Sequence, residues 1–255
     1  MKNMKTLAII GFGRFGQLMA EVLRLHFDVC AYNPRDKSKI ARSLCVRYES
    51  SLEKAAASKD IVVLSMPISK LEGVLGDIAP HLKPGALVLD VCSVKQKPCE
   101  LMRDVLPQTV DVVGTHPLFG PDSTKVDGQA VHNILGRKVA VCPVRMQKHS
   151  LRNICKFLEK IGLVTYVVTP RDHDRQMAVA QGLTHYIALA LRGMDVGKQD
   201  LTTPKFDALL GIVEKLSNDT DVLLEDIQVL NPYAVEQRQR FRKALDDVEK
   251  EIGGN

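Results

Sequence analysis

The sequence predicts an α/β fold, with a mainly parallel sheet in its N-terminal part and an all-helical C-terminal part. Three observations carry this expectation. Over the first two thirds, short apolar runs alternate with helix-length segments of period near 3.6, the pattern of βαβ units. A glycine-rich turn, Gly11-Phe12-Gly13-Arg14-Phe15-Gly16, follows the first run and opens the first helical segment. After Thr169 the strand signals stop and helical periodicity takes over.

In chain order, strands are expected at 6–10, 29–32, 61–65, 86–90, 110–114, 138–142 and 163–168. Helices at 15–25, 70–78 and 147–161 lie among them. Beyond the change of character, 172–193, 203–216 and 232–252 read as helices, and another begins near Thr220. A boundary near residue 169 thus divides a domain at 1–169 from a helical domain at 170–255. There is no internal repeat and no low-complexity segment.

At 255 residues the chain is long enough to bury a proper core, and 45% hydrophobic with 25% charged residues is ordinary for a globular protein. No apolar run approaches the roughly 18 residues of a membrane helix. The first residues enter a strand directly, which speaks against a secretory signal. Six cysteines at 30, 45, 92, 99, 142 and 155 form no CxxC pair. That argues for reduced cytoplasmic thiols and against a disulfide framework or a metal site. The net charge of +5 comes from dispersed lysines and arginines. Dispersal disfavours nucleic acid, while a mild positive balance suits a small anionic ligand.

The turn at 11–16 has the spacing of a dinucleotide fingerprint, which makes the sheet domain Rossmann-type. Gly11 permits the tight turn, Gly13 lets a pyrophosphate approach the backbone, and Gly16 lets helix and strand pack closely. Phe12, Arg14 and Phe15 share that loop, and the helix N-terminus attracts the phosphates. The second strand should end at the residue that reads the adenosine ribose. The chain has Asn33 there, with Arg35 beyond. A neutral residue plus a cation favours the 2′-phosphate of NADP. NAD stays possible, through Asp36 in a shifted register.

Ligands of open α/β sheets gather outside the carboxyl ends of the strands. Met66 and Pro67 follow one strand and could wall the cofactor; Ser93 follows another, in Asp90-Val91-Cys92-Ser93-Val94-Lys95. His116 follows the run at 110–114, within Gly114-Thr115-His116-Pro117-Leu118-Phe119-Gly120-Pro121-Asp122-Ser123. The prolines and glycines read as a fixed loop. A histidine on such a loop suits proton abstraction from a hydroxyl, the companion of hydride transfer; a structural or capping histidine is the plain alternative.

These segments resemble the prephenate/arogenate dehydrogenase family, and its plant-type arogenate branch in particular. The likeness lies in 9–17, Ala31-Tyr32-Asn33, 90–95 and 114–123. It continues in Gln181-Gly182-Leu183-Thr184-His185 and Asn231-Pro232-Tyr233-Ala234. The resemblance implies oxidative decarboxylation of arogenate or prephenate in tyrosine synthesis. Hydride would pass to the nicotinamide, His116 would accept the hydroxyl proton, and Ser93 would hydrogen-bond the hydroxyl and the histidine. His185, with Thr184 and Gln181, would stand near the substrate; a partly buried helix histidine is the alternative for His185.

The resemblance also implies an intertwined homodimer through the helical domain. Prephenate-preferring bacterial members carry an arginine that clamps a substrate carboxylate. The matching stretch 206–215 has none, so Lys95, Arg175 or a partner-subunit arginine are the candidates. Asp219 matches an acid near the substrate amine of arogenate enzymes, and otherwise caps the helix near Thr220. Two other classes compete: a small imine or β-hydroxyacid reductase, disfavoured because 172–193 contains no lysine, and a non-catalytic dinucleotide sensor, which would need neither Ser93 nor His116.

Overall fold

The computed structural model describes residues 4–125, 132–216 and 220–253. Contacts divide the chain into two compact units, Met1–Pro170 and Arg171–Asn255.

The first unit holds one eight-stranded sheet. Its strands are β1 (Thr6–Ile10), β2 (Asp28–Tyr32), β3 (Arg47–Tyr48), β4 (Ile61–Leu64), β5 (Leu87–Asp90), β6 (Asp111–Pro117), β7 (Lys138–Arg145) and β8 (Val164–Val167). Their order across the sheet is β3-β2-β1-β4-β5-β6-β7-β8. Every neighbouring pair is parallel except β6 and β7. Between the strands run α1 (Arg14–Leu23), α2 (Ser38–Ser43), α3 (Leu52–Ala56), α4 (Ile68–Ile78), α5 (Gln96–Val105), α6 (Pro121–Thr124) and α7 (Lys148–Lys160).

The central strands bury both faces, which is why they read as near-continuous apolar runs. Ala8 and Ile10 of β1 pack with Leu71, Leu75 and Ile78 of α4, while Leu7 and Ile9 pack with Met19 and Ala20 of α1. Successive strand residues point to opposite faces. Each fully buried aliphatic side chain contributes roughly 1.5–3 kcal/mol. The chain moves outward from β1 to β3 and then returns to β4 on the other side, so the strand order reverses between β1 and β4. Their carboxyl ends are joined there by the Ser65 N–H donating to Ile10 O at 2.7 Å.

One expectation fails. His116 does not sit on a loop: it lies inside β6, paired with Ala140 of β7. The antiparallel partner extends the ladder to Pro117, past the glycine and threonine that suggested its end.

The second unit is helical: α8 (Pro170–Met177), α9 (Thr184–Gly193), α10 (Pro204–Leu216), α11 (Asp221–Val229) and α12 (Ala234–Gly253). The expected continuous helix over 172–193 is interrupted by a π-helical turn, Ala178–Leu183. The hydroxyl of Thr220 caps α11, accepting from the Leu223 N–H at 3.2 Å. Asp219, expected as a substrate or cap residue, lies outside the described residues. No helix among the described residues is long and apolar enough to cross a membrane.

Candidate dinucleotide and reaction site

The glycine loop is built by close approach at two glycines and by open space at the third. Gly11 adopts φ +99, and a Cβ there would lie 2.6 Å from the carbonyl carbon of Ser65. Gly16 packs against the Gly11 carbonyl, 3.2 Å from its carbon to an added Cβ. Around Gly13 an added Cβ would meet nothing within 4 Å. Gly13 is also the N-cap of α1, which has no side-chain cap and no acid in its first turn. Free N–H groups at a ten-residue helix start, beside a position open to the backbone, fit a pyrophosphate. The residues present therefore suit a dinucleotide.

Asn33 holds this loop in place. Its amide oxygen accepts from the Phe12 N–H at 3.2 Å, and its amide nitrogen donates to Arg35 O at 2.9 Å. Phe12 itself is fully buried. Tyr48 of β3 braces the next stretch: its hydroxyl lies 2.9 Å from Asn33 O and accepts from the Lys37 N–H at 3.2 Å. Asp36 accepts from the Ser38 N–H at 2.8 Å, and that bond lowers its carboxyl below the usual range. Asp36 is thus engaged locally, while Asn33 stands directly after β2, in the register the sequence suggested.

Met66 and Pro67 follow β4, with Pro67 exposed at the start of α4 and Met66 half-buried. On the neighbouring strand the Cys92 N–H donates to Asp90 Oδ2 at 2.9 Å, shaping the turn that carries the half-buried Ser93. Asp90 is in register with Gly114 of β6. His116, two residues on, is 5% exposed. The turn with Ser93 and the strand end with His116 are therefore neighbours at the carboxyl edge of the sheet, alongside the glycine loop.

The structure adds contacts that the sequence reading missed. Arg14 of the glycine loop pairs with Asp122 of α6, and the Phe15 and Phe119 rings lie 6.2 Å apart. The segment after His116 is thereby held against the cofactor loop. An acid six residues beyond His116 was a visible signal, but its partner is 108 positions away.

Lys95 corrects the sequence reading. Expected as a ligand for a substrate carboxylate, it has no exposed surface. Its ammonium is ion-paired with Asp90 and donates to Thr115 O at 2.6 Å. Burial is the largest influence and works against the charge, but the Asp90 carboxylate together with the Cys92 and Cys99 sulfurs raises the Lys95 pKa on balance. A side chain so placed does not reach solvent or a ligand.

In the helical unit, Gln181 belongs to the π turn, and Thr184 and His185 begin α9. The Thr184 hydroxyl donates to Ala180 O at 2.9 Å. His185 is 6% exposed, and burial lowers its pKa. Gln181 Oε1 is buried without a hydrogen-bond partner among the described residues. The carbonyl of Gly182, freed by the π turn, accepts from Gln228 Nε2 at 2.6 Å, and Arg238 in turn donates to Gln228. Arg175 stacks over the Tyr233 ring at 5.7 Å.

The fold and this strand-end edge define a dinucleotide-binding protein of the Rossmann class. More particularly, the chain belongs to the prephenate dehydrogenase family of oxidoreductases: the family model for the prephenate dehydrogenase nucleotide-binding domain matches residues 24–178. A second model, a TYRAAT1-like C-terminal domain, matches 190–255.

Among relatives, a probable arogenate/prephenate dehydrogenase of Methanocaldococcus jannaschii is 29% identical over 94% of this chain and 55% of its own length. Arogenate dehydrogenase 2, chloroplastic, of Arabidopsis thaliana is 29% identical over 97% of this chain and 70% of its own length. The chain thus spans little more than half of the first relative. Prephenate dehydrogenase from A. aeolicus, solved with hydroxyphenyl propionate and NAD+, has a TM-score of 0.78 at 23% identity, covering 98% of this chain and 91% of that one. Synechocystis arogenate dehydrogenase has a TM-score of 0.73 at 21% identity, covering 98% and 92%. At these identities the two structures speak for the fold.

Proposed function

We propose that this protein catalyses the oxidative decarboxylation of arogenate to tyrosine with NADP. The observation that carries the reading is the placement of His116 and Ser93 on adjacent strand ends beside the glycine loop, in a chain of this family. The bound nicotinamide supplies the hydride acceptor. His116 takes the hydroxyl proton as the C–H hydride leaves, and Ser93 hydrogen-bonds that oxygen. The ring carboxylate departs as carbon dioxide, its bonding pair enters the ring, and the proton returns to the phenolic oxygen. His185, Thr184 and Gln181 serve as substrate-side groups of the helical unit, and Asp219 as the acceptor for the substrate ammonium.

Asn33 and Arg35 favour NADP, because neither repels a 2′-phosphate. Prephenate is the second reading, supported by the arogenate/prephenate name of the M. jannaschii relative. Exposed apolar residues of the helical unit, among them Val229, Leu245 and Ile252, support a homodimer. The six free cysteines support a reducing compartment, which we assign to the cytoplasm.

The test is a turnover assay with prephenate and arogenate, each with NAD and NADP. The highest kcat/KM is expected for arogenate with NADP. Turnover of prephenate alone, or a preference for NAD, overturns the corresponding part. Light scattering is expected to return a dimer mass, and a monomer mass at micromolar concentration rules the dimer out.

A further inference from the structure

Asp90 and Lys95 form an ion pair with no exposed surface on either side chain. Removing two charges from water is costly, and apolar side chains of similar volume often stabilise as well or better. The pair therefore calls for a geometric reason. Its bonds supply one. Asp90 Oδ2 accepts from both the Lys95 ammonium and the Cys92 N–H, which fixes the turn bearing Ser93. Lys95 also donates to the carbonyl of Thr115, the residue before His116, at 2.6 Å. The Thr115 hydroxyl donates back to Asp90 O at 2.5 Å. The Cys99 N–H donates to Lys95 O at 3.0 Å, seating α5 against the same turn.

We propose that this buried pair is a strut holding Ser93 and His116 in catalytic register, and that Lys95 is a positioning residue for the reaction.

Gly114 fits this assignment. A Cβ there would lie 2.5 Å from Cys99 Sγ, 3.3 Å from Lys95 Cδ and 3.5 Å from Asp90 Oδ1. The glycine supplies room rather than backbone freedom: the lysine stem crosses at the place a side chain would occupy. The turn at 90–95 and the end of β6 are then joined by two hydrogen bonds running in opposite directions, Lys95 to Thr115 O and the Thr115 hydroxyl to Asp90 O. Neither charged side chain is exposed, so the brace is either made or broken.

The proposal rests on His116 and Ser93 acting as proposed above, so the experiment has one arm that needs no turnover. Lys95→Met and the double variant Asp90→Leu/Lys95→Met are compared with the unmodified chain. In both, kcat is expected to fall about 10²-fold, the loss typical of misplaced reacting groups, while KM and cofactor Kd change little. A raised KM with kcat retained would show that Lys95 binds substrate after all. The double variant leaves no orphaned charge. Full kcat there would make the pair a packing feature and overturn the proposal. Hydrogen exchange provides the other arm: faster exchange confined to 91–96 and 113–117 is expected in the double variant. Unchanged exchange overturns the strut whatever the substrate proves to be. An unmodified chain that turns over neither substrate, together with that local loosening, would instead sink the functional reading and leave the strut standing.

Discussion

At the amino edge of the sheet, Lys83 Nζ lies 2.6 Å from Asp60 Oδ1, with the two side chains 38% and 31% exposed. At the carboxyl edge, Lys95 meets Asp90 with nothing exposed. Residue types and charges are the same. Asp60 also accepts from the N–H and the hydroxyl of Thr6, at 2.7 and 2.9 Å, so it fastens the start of β1 to the start of β4. Water remains available to every member of that cluster, and breaking it exchanges one partner for another. At the other edge no such exchange is open. Depth decides which pair tunes stability and which fixes geometry. The proposed reacting groups, Ser93 and His116, sit at the deep end.

The sharpest way to break this comparison is at His116. His116→Asn is expected to lower kcat by roughly 10²–10⁴-fold, the range for loss of a general base, with dinucleotide affinity nearly unchanged. Steady-state kinetics beside a cofactor titration separates the two quantities. A variant with undiminished kcat would move the chemistry away from this edge.

The glycine loop sharpens the comparison by separating folding from binding within one motif. Gly11→Ala sets a Cβ against the Ser65 carbonyl at φ +99, and is expected to cost more than about 1 kcal/mol of stability. Gly13→Ala meets nothing in the protein. It should leave the denaturation midpoint in place while weakening dinucleotide binding, because the methyl group fills the approach to the backbone. Equal binding by unmodified and Gly13→Ala proteins would remove the pyrophosphate from this position.

The same difference between edges explains what was legible in the sequence. Strands β1 and β4 announce themselves because both faces are buried and their runs are continuous. β3 is two residues long and has no period to read. The end of β6 was misread because Gly114 and Pro117 look like loop residues, and only the pairing with β7 keeps them in the ladder. The π turn left no signal in the apolar spacing of 172–193.

The glycine loop, Ser93 and His116 could be located from local spacing, because a strand end followed by a turn is a local event. Lys95 was found but misassigned. Its partner carbonyl belongs to Thr115, on another strand, and burial is set by that long-range pairing. A hint did exist: Asp90 is an acid closing an otherwise apolar run, and a lysine follows five positions later.

The smallest expected effect lies at the exposed edge and concerns acid. The hydrogen bond from Lys83, followed by that from the Thr6 N–H, lowers the Asp60 pKa from 3.8 to about 2. A carboxyl more acidic in the folded than in the unfolded chain stabilises the fold above its unfolded pKa. That contribution fades as the pH falls from about 4 toward 2. Solvent screening at a pair about one third exposed holds it near 1 kcal/mol. Asp60→Asn keeps an acceptor for the Thr6 N–H and loses the charge together with the oxygen that accepts from Lys83. Its unfolding free energy should therefore lie below the unmodified protein's by about that amount at pH 7, and the gap should narrow below pH 4 and be mostly gone at pH 2. Added salt should narrow the gap at pH 7, since the pair is open to counterions. Turnover at pH 7 should be unchanged, because the amino edge carries none of the proposed reacting groups. Denaturant titrations at both pH values read the gap directly. A gap as large at pH 2 as at pH 7 would mean that Asp60 acts through shape rather than charge, and the two edges would then differ less than their exposure indicates.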